Sequence, residues 1–266
     1  MSRPEWHLED LWLSLREVCP EISVEWLPEL DSTNSELARR LRAGSAESLL
    51  LVAEHQTAGR GRMGRSWLTP PGSALTFSLA LPMQPATWSG LSLAVGLLLT
   101  ETLDPQGQMG LGVKWPNDIW HWPPLEAPTK LGGILIETLP LPTQGSGRYA
   151  IVGVGINLRT PAIDTGGIAA RGLDYWGAVP EPGRLLARIA RPLLSMLKDF
   201  ERVGPQPWLA RYAQRDLLRG VELQTSLGVQ GLGAGIDDGG GLLLDTPDGP
   251  CRVDSAEVSV RPTMRS

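Results

Sequence analysis

The chain alternates helical and extended periods of apolar residues without settling into a repeated strand, helix, strand rhythm. In "DSTNSELARRLRAG", Leu37, Ala38 and Leu41 recur at helical spacing and share one face. Thr33 and Glu36 have the spacing of a capping box at its start, and Gly44 is placed as a stop. "ESLLLVAEH" is short and apolar and predicts a buried strand ending at Glu54 and His55. "ALTFSLAL" alternates Leu75, Phe77, Leu79 and Leu81 with smaller or polar residues, which predicts a strand with one buried face. Ser89 to Leu103 is rich enough in Leu and Val for a buried helix. "GVKW", "DIWHW", "KLGGILIETL" and "RYAIVGVGINL" read as successive sheet strands, broken by Pro116 to Asp118 and by the proline-rich 121–129 loop. Two helices follow, Gly183 to Val203 interrupted at Pro192, and about Gln206 to Leu218. From Gly220 onward, short alternating segments separated by Asp-Gly and Gly-Gly turns predict a small antiparallel barrel. A domain boundary near Gly220 divides the chain into 1–219 and 220–266, with no internal repeat.

Length agrees with that division, since 266 residues suffice for one large domain or a medium and a small one. A net charge of -5 argues against a broad face for nucleic acid, where many phosphates must be neutralised at once. Cys19 and Cys251 are the only cysteines, too few for a disulfide framework. The start "MSRPEWHLEDLW" lacks a secretory pattern, and the longest apolar run, "LSLAVGLLL", is far short of the ~20 residues a bilayer requires. The expectation is a soluble cytoplasmic protein with no membrane contact.

Against this acidic background, "TAGRGRMGRSW" gathers three arginines and three glycines between Gly59 and Arg65. Glycines let backbone N–H groups approach an anion, and arginine forks match carboxylate and phosphate oxygens. Three explanations compete: a nucleic acid, a phosphorylated small molecule, or a solvated turn. Arginine-glycine segments that bind RNA are longer and repeated, whereas this one sits singly between two predicted strands.

Other stretches point to a small anion. "KWPND" places Lys114, Asn117 and Asp118 around a tight proline turn, with Trp115 either core or site. "KLGG" opens a strand with Lys130, and Gly132 and Gly133 permit close backbone approach to a ligand. In "VGVGIN", Gly153 and Gly155 imply that either a helix or a ligand packs closely on the strand, which ends at Asn157. This is not a Rossmann fingerprint, because the third glycine and the following helix are missing.

"DSTN", "AEHQTAGRGRMGRSW", "KWPND", "KLGGILIE" and "GVGIN" occur in the order and approximate spacing of the biotin protein ligases, so residues 30–158 resemble that family. The C-terminal segment resembles its small SH3-like domain. The resemblance implies an α+β catalytic domain related to class II aminoacyl-tRNA synthetases. It also implies a ligase that forms a C–N amide bond. Biotin's carboxylate attacks the α-phosphate of ATP to give biotinyl-5′-AMP, and biotin then passes to one lysine of a biotin carboxyl carrier protein or another biotin-accepting carboxylase domain. Mg2+ is expected with ATP, and no metal ligands are assigned.

Residue by residue, the resemblance implies that Ser32, Thr33, Asn34 and Gln56 meet the biotin head group, although the first three can equally cap the next helix. Arg60, Gly61 and Arg62 would hold the carboxylate and the phosphate it attacks, and Gly132, Gly133, Gly153 and Gly155 would admit biotin. Arg65, Trp67, Lys114, Asn117 and Asn157 would contact the nucleotide, with Trp67 over the adenine. Lys130 would neutralise charge beside the reacting atoms. Asp118 would either orient or deprotonate the acceptor lysine, or cap its turn. The loop 57–67 is expected to be mobile when free and to order over the adenylate.

About thirty residues precede "DSTN", too few for the DNA-binding domain of bifunctional members, so a monofunctional type with no nucleic-acid partner is expected. The state is either monomer or homodimer. Met63 stands where the family often has a basic residue. Two alternatives remain: a lipoate or octanoate ligase of the same fold, which would want a long apolar slot, or a biotin sensor without turnover.

Overall fold

Apolar strands need partners on both faces, and two sets of helices supply them. The computed structural model describes residues 6–123, 126–141, 147–161, 169–254 and 260–262. In chain order, α1 is Leu8–Arg16, β1 Ser23–Leu30, α2 Thr33–Arg42, β2 Leu49–Gln56, β3 Gly59–Arg60, β4 Ser66–Trp67, β5 Ala74–Met83 and α3 Leu91–Leu103. Next come β6 Leu111–Lys114, β7 Asp118–His121, β8 Thr129–Pro140, β9 Arg148–Asn157, α4 Pro182–Val203 and α5 Gln206–Tyr212. The C-terminal strands are β10 Glu222–Thr225, β11 Gln230–Ile236, β12 Leu242–Thr246, β13 Gly249–Val253 and β14 Val260–Pro262.

Seven strands form one mixed sheet in the order β1-β2-β5-β9-β8-β7-β6. Only β1 and β2 pair in parallel; the other neighbours are antiparallel. Leu75, Phe77, Leu79 and Leu81 of β5 meet α1, α3 and α4 on one face. On the other, Leu37, Ala38 and Leu41 of α2 pack on Leu49, Leu51, Ala80 and Ile151. The expected single buried face of β5 is therefore corrected. Thr76, Ser78 and Ala80 are buried too: Ala80 packs under α2, Ser78 bonds to Thr33 and Asn34 at its start, and Thr76 bonds to Ala53 O. Their small size leaves room for that helix.

Three local expectations change. The N-cap of α2 is Ser32, one residue earlier than the proposed box, and its hydroxyl accepts from Ser35 N. Glu36 pairs instead with Arg39 and Arg40, which frees Thr33 for the interior. The long helix α4 runs through Pro192 without interruption, since that residue lies on its solvent side, where water can meet the carbonyl left unbonded. α5 stops at Tyr212, short of Leu218. Arg215 O accepts from Val113 N at 2.7 Å and Leu217 N donates to Val113 O, so that backbone extends the edge of β6 and is unavailable to a helix.

The last five strands form an antiparallel sheet in the order β13-β12-β11-β10-β14. Its buried residues Leu223, Leu242, Leu244 and Val253 share a core with Leu93, Val113, Trp115 and Tyr212 of the larger part. Trp115 Nε1 donates to Gly240 O at 3.0 Å, which joins the two parts beside the Lys114–Asp118 turn. No helix among the described residues is long and apolar enough to cross a membrane.

Candidate functional site

Strand ends and turns from distant parts of the chain meet on one face of the large sheet. They enclose a cavity of about 540 Å³. It is lined by the start of α2, the end of β2, the arginine loop from β3 to β4, the Lys114–Asp118 turn and the glycine-bearing parts of β8 and β9. Of the residues proposed from sequence, Ser32, Thr33, Asn34, Gln56, Arg60, Gly61, Arg62, Arg65, Trp67, Lys114, Asn117, Asp118, Lys130, Gly133, Gly153, Gly155 and Asn157 all line it.

Gly132, expected from sequence to admit biotin, is not among the lining residues. The space that a Cβ there would occupy lies 2.7 Å from Gly155 O, so this glycine serves the close approach of β8 to β9. Gly153 and Gly155 have a different reason. A Cβ on Gly153 would overlap Asn34 Oδ1, and one on Gly155 would stand 2.7 Å from the Trp67 ring. Both glycines therefore admit side chains of the site itself as well as opening onto the cavity.

One end of the cavity is neutral and polar. Thr33 N donates to Gln56 Oε1 at 2.7 Å, and the Ser78 hydroxyl lies 2.6 Å from both Thr33 Oγ1 and Asn34 Oδ1. Asn34 Nδ2 donates to Leu135 O and to Glu137 Oε2. Thr33, Asn34, Gln56 and Ser78 are buried and hydrogen-bonded, as buried polar groups must be, while Glu137 is partly exposed.

Cations line the rest of the cavity, and one of them, Arg60, is joined through Glu137 to the neutral Asn34. Arg60, Arg62, Arg65, Lys114, Lys130 and Arg261 line the cavity with Asp118 as the single carboxylate among the described lining residues. Lys130 Nζ pairs with Asp118 Oδ1 at 2.7 Å and lies 5.6 Å from the centre of the Trp67 ring. Arg62 donates to Asn117 Oδ1, and Asn117 Nδ2 in turn donates to Ile134 O, which ties the turn to β8. Asn157 is committed to the carbonyls of Lys130 and Arg171. Burial holds the Lys114 ammonium down from the usual 10.5 to about 8, with Asp118 opposing that shift and Lys130, Arg65 and Arg62 adding to it. Burial likewise lowers Arg62. A site that discourages its own cations is one that an anion would relieve.

Three participants escaped the sequence reading. Ser78 looked like the polar half of an alternating strand, and Glu137 stood at the end of "KLGGILIE" with no role. Arg261 comes from β14, at the edge of the C-terminal sheet. Its proximity depends on tertiary packing that no local pattern reveals.

The model of the Biotin/lipoate A/B protein ligase family matches residues 26–157. The Bifunctional ligase/repressor BirA of Escherichia coli is 34% identical over 237 residues, covering 84% of this chain and 69% of that protein. The Biotin--[acetyl-CoA-carboxylase] ligase of Mycobacterium tuberculosis is 32% identical over 240 residues, covering 85% of each. Among solved structures, the biotin protein ligase from Aquifex aeolicus in complex with biotin and ATP superposes with a TM-score of 0.73 at 26% identity, covering 91% of this chain and 99% of that one. On these relatives, and on a cavity that unites the motifs they share, the chain belongs to the biotin protein ligase family.

Proposed function

We propose that the protein is a biotin–[acetyl-CoA-carboxylase] ligase, which activates biotin with ATP and transfers it to a lysine of a biotin-accepting carboxylase carrier domain. The observation that carries this reading is the junction, in one cavity, of a neutral hydrogen-bonding slot with six cationic side chains. A cyclic urea needs paired donors and acceptors without net charge, and Ser32, Thr33, Asn34 and Gln56 offer them. The acid and the triphosphate need cations, which the same lining provides.

In the first step, a biotin carboxylate oxygen bonds to the α-phosphorus and the bond to pyrophosphate breaks. Arg60, Arg62 and the Gly61 backbone hold the two anions together, while Lys130 neutralises the charge that builds between them. In the second step, the acceptor amine bonds to the acyl carbon, AMP leaves, and the amine proton passes to a base. Asp118 fixes Lys130 and is the candidate for that base. Arg65, Lys114 and Asn117 belong to the nucleotide half, and Trp67 flanks the adenine. Asn157 acts indirectly, by holding the backbone of Lys130. Mg2+ is expected with ATP as the counterion of the triphosphate, and no protein ligands are assigned to it. The loop 57–67 closes over the adenylate and keeps water from the mixed anhydride.

The finer assignments are proposed with it. The 1–219 part is read as the synthetase-like catalytic domain and 220–266 as an SH3-like domain. The protein works in the cytoplasm, as monomer or homodimer. Cations concentrated inside a cavity of an acidic chain favour small anions over nucleic acid.

Lys114 supplies a pH test. Its depressed pKa means that burial costs stability while the group is charged, below about pH 8, and that the cost is relieved as pH rises toward 10.5. Bound phosphates favour the ammonium and raise that pKa. Calorimetry of ATP binding at pH 8.5 in buffers of different ionisation enthalpy will show proton uptake; at pH 6.5, and in Lys114→Met, the uptake will be absent. Equal uptake in Lys114→Met would remove Lys114 from the nucleotide site.

Transfer is tested by incubating the protein with ATP, biotin and a carboxylase carrier domain. The expected result is a mass gain of one biotinyl group on the carrier, absent when its acceptor lysine is arginine. No gain in either carrier would contradict the proposed second step.

A further inference from the structure

Glu137 lies in the second half of β8 and has no place in the steps above. Its carboxylate nevertheless joins two groups of the acid-binding half. Oε1 accepts from Arg60 Nη2 at 3.1 Å, and Oε2 accepts from Asn34 Nδ2 at 2.9 Å. Arg60 belongs to the short β3–β4 ribbon of the arginine loop, whereas Asn34 is in the first turn of α2. One carboxylate thus ties the cationic loop to the neutral slot.

The tie continues inward without a gap. Asn34 Oδ1 meets the Ser78 hydroxyl, Ser78 meets Thr33, and Thr33 meets Gln56. With Nδ2 committed to Glu137 and Leu135 O, the Asn34 amide has one orientation, and Gly153 leaves the space for it. On the other side, a guanidinium has five N–H donors in a fixed fork. Glu137 and the Ser35 hydroxyl take one contact each, from Nη2 and Nη1, so donors remain for a ligand. Side-chain exposures of 47% for Arg60 and 30% for Glu137 mean that the pair adds little to fold stability. Its consequence is positional.

We propose that Glu137 is a positioning residue for acid activation, one that holds Arg60 and Asn34 in the relative placement that the substrate's carboxylate and ring require. This rests on the reading of the cavity as a biotin site. Glu137 does not touch the substrate; it acts through Arg60 and Asn34, so its effect must depend on them.

A double-mutant cycle on the whole chain tests that dependence, with biotin affinity measured by calorimetry for the wild type, Glu137→Ala, Arg60→Ala and the double variant, and thermal melting confirming that each folds. The expected result is biotin binding weakened about tenfold by Glu137→Ala in the wild-type background, and only about threefold in the Arg60→Ala background, where the Asn34 contact alone is left to lose. Glu137→Gln keeps an acceptor for Asn34 but no charge for Arg60, and falls between. Equal losses in both backgrounds, no loss from Glu137→Ala, or an Arg60→Ala protein that binds like the wild type would each overturn the proposal while leaving the biotin reading intact. A wild-type protein that binds no biotin overturns both.

Discussion

Lys130→Ala lowers biotin-dependent exchange of pyrophosphate into ATP by roughly two to three orders of magnitude, the effect of deleting one well-placed charge stabiliser. The reason is its position. Nζ lies 2.7 Å from the Asp118 carboxylate and 5.6 Å from the centre of the Trp67 ring, in the cavity that the arginine loop also lines. Its backbone is fixed as well, because its N–H donates to Ala169 O and its carbonyl accepts from Arg171 N and Asn157 Nδ2. A cation so held needs little reorganisation as charge develops. Alanine also leaves Asp118, whose side chain is only 11% exposed, without its partner, which destabilises the turn that carries it. Lys130→Arg separates the two effects: it restores a partner for Asp118 but moves the charge. Its melting temperature recovers more fully than its exchange rate. Exchange within threefold of wild type in Lys130→Ala would remove Lys130 from the reaction.

Trp115→Ala costs about 3–5 kcal/mol of stability, the range for removing a large buried aromatic side chain. The ring is fully buried among Leu93, Val113, Leu218 and Leu242, where the two sheets share a core. Its Nε1 donates to Gly240 O, in a turn whose φ of 78° suits glycine. That turn also presses on α3, since a Cβ on Gly240 would stand 3.1 Å from Gly90 Cα. Trp115→Phe keeps most of the packing and loses the hydrogen bond, at about 1–2 kcal/mol. Urea unfolding followed by circular dichroism measures both. Because Trp115 is flanked by Lys114 and the Asn117–Asp118 pair, the alanine protein also loses exchange activity under conditions where it remains folded. An unchanged midpoint would mean that the C-terminal sheet is not anchored through this side chain.

Elements that fix their own neighbours were legible in the sequence. Leu37, Ala38 and Leu41 marked the face of α2, and the spacing of Gly44 marked its end, because helix periodicity and left-handed stops are local properties. The arginine loop and the Lys114–Asp118 turn were legible because their residue types are chemically unusual in an acidic chain. Contacts made across the fold were not. Ser78 and Glu137 reach Asn34 from positions 44 and 103 residues away, and neither is remarkable within its own strand. The short α5 has the same origin: Arg215 to Leu217 is recruited by the edge of β6, which outweighs a local helical pattern. The one-residue shift of the cap also follows from the site, since Thr33 is needed beside Gln56.

The central claim, that one cavity brings biotin's carboxylate to the α-phosphate of ATP, is tested most directly by exchange of labelled pyrophosphate into ATP with the wild-type protein, supplied in turn with biotin, lipoate and octanoate. The account predicts exchange with biotin and none above background with the other two acids, because an alkyl chain would leave the hydrogen-bonding groups of Ser32, Asn34 and Gln56 without partners. Exchange that is driven by lipoate, or no exchange with any acid from a protein that binds biotin, would contradict it.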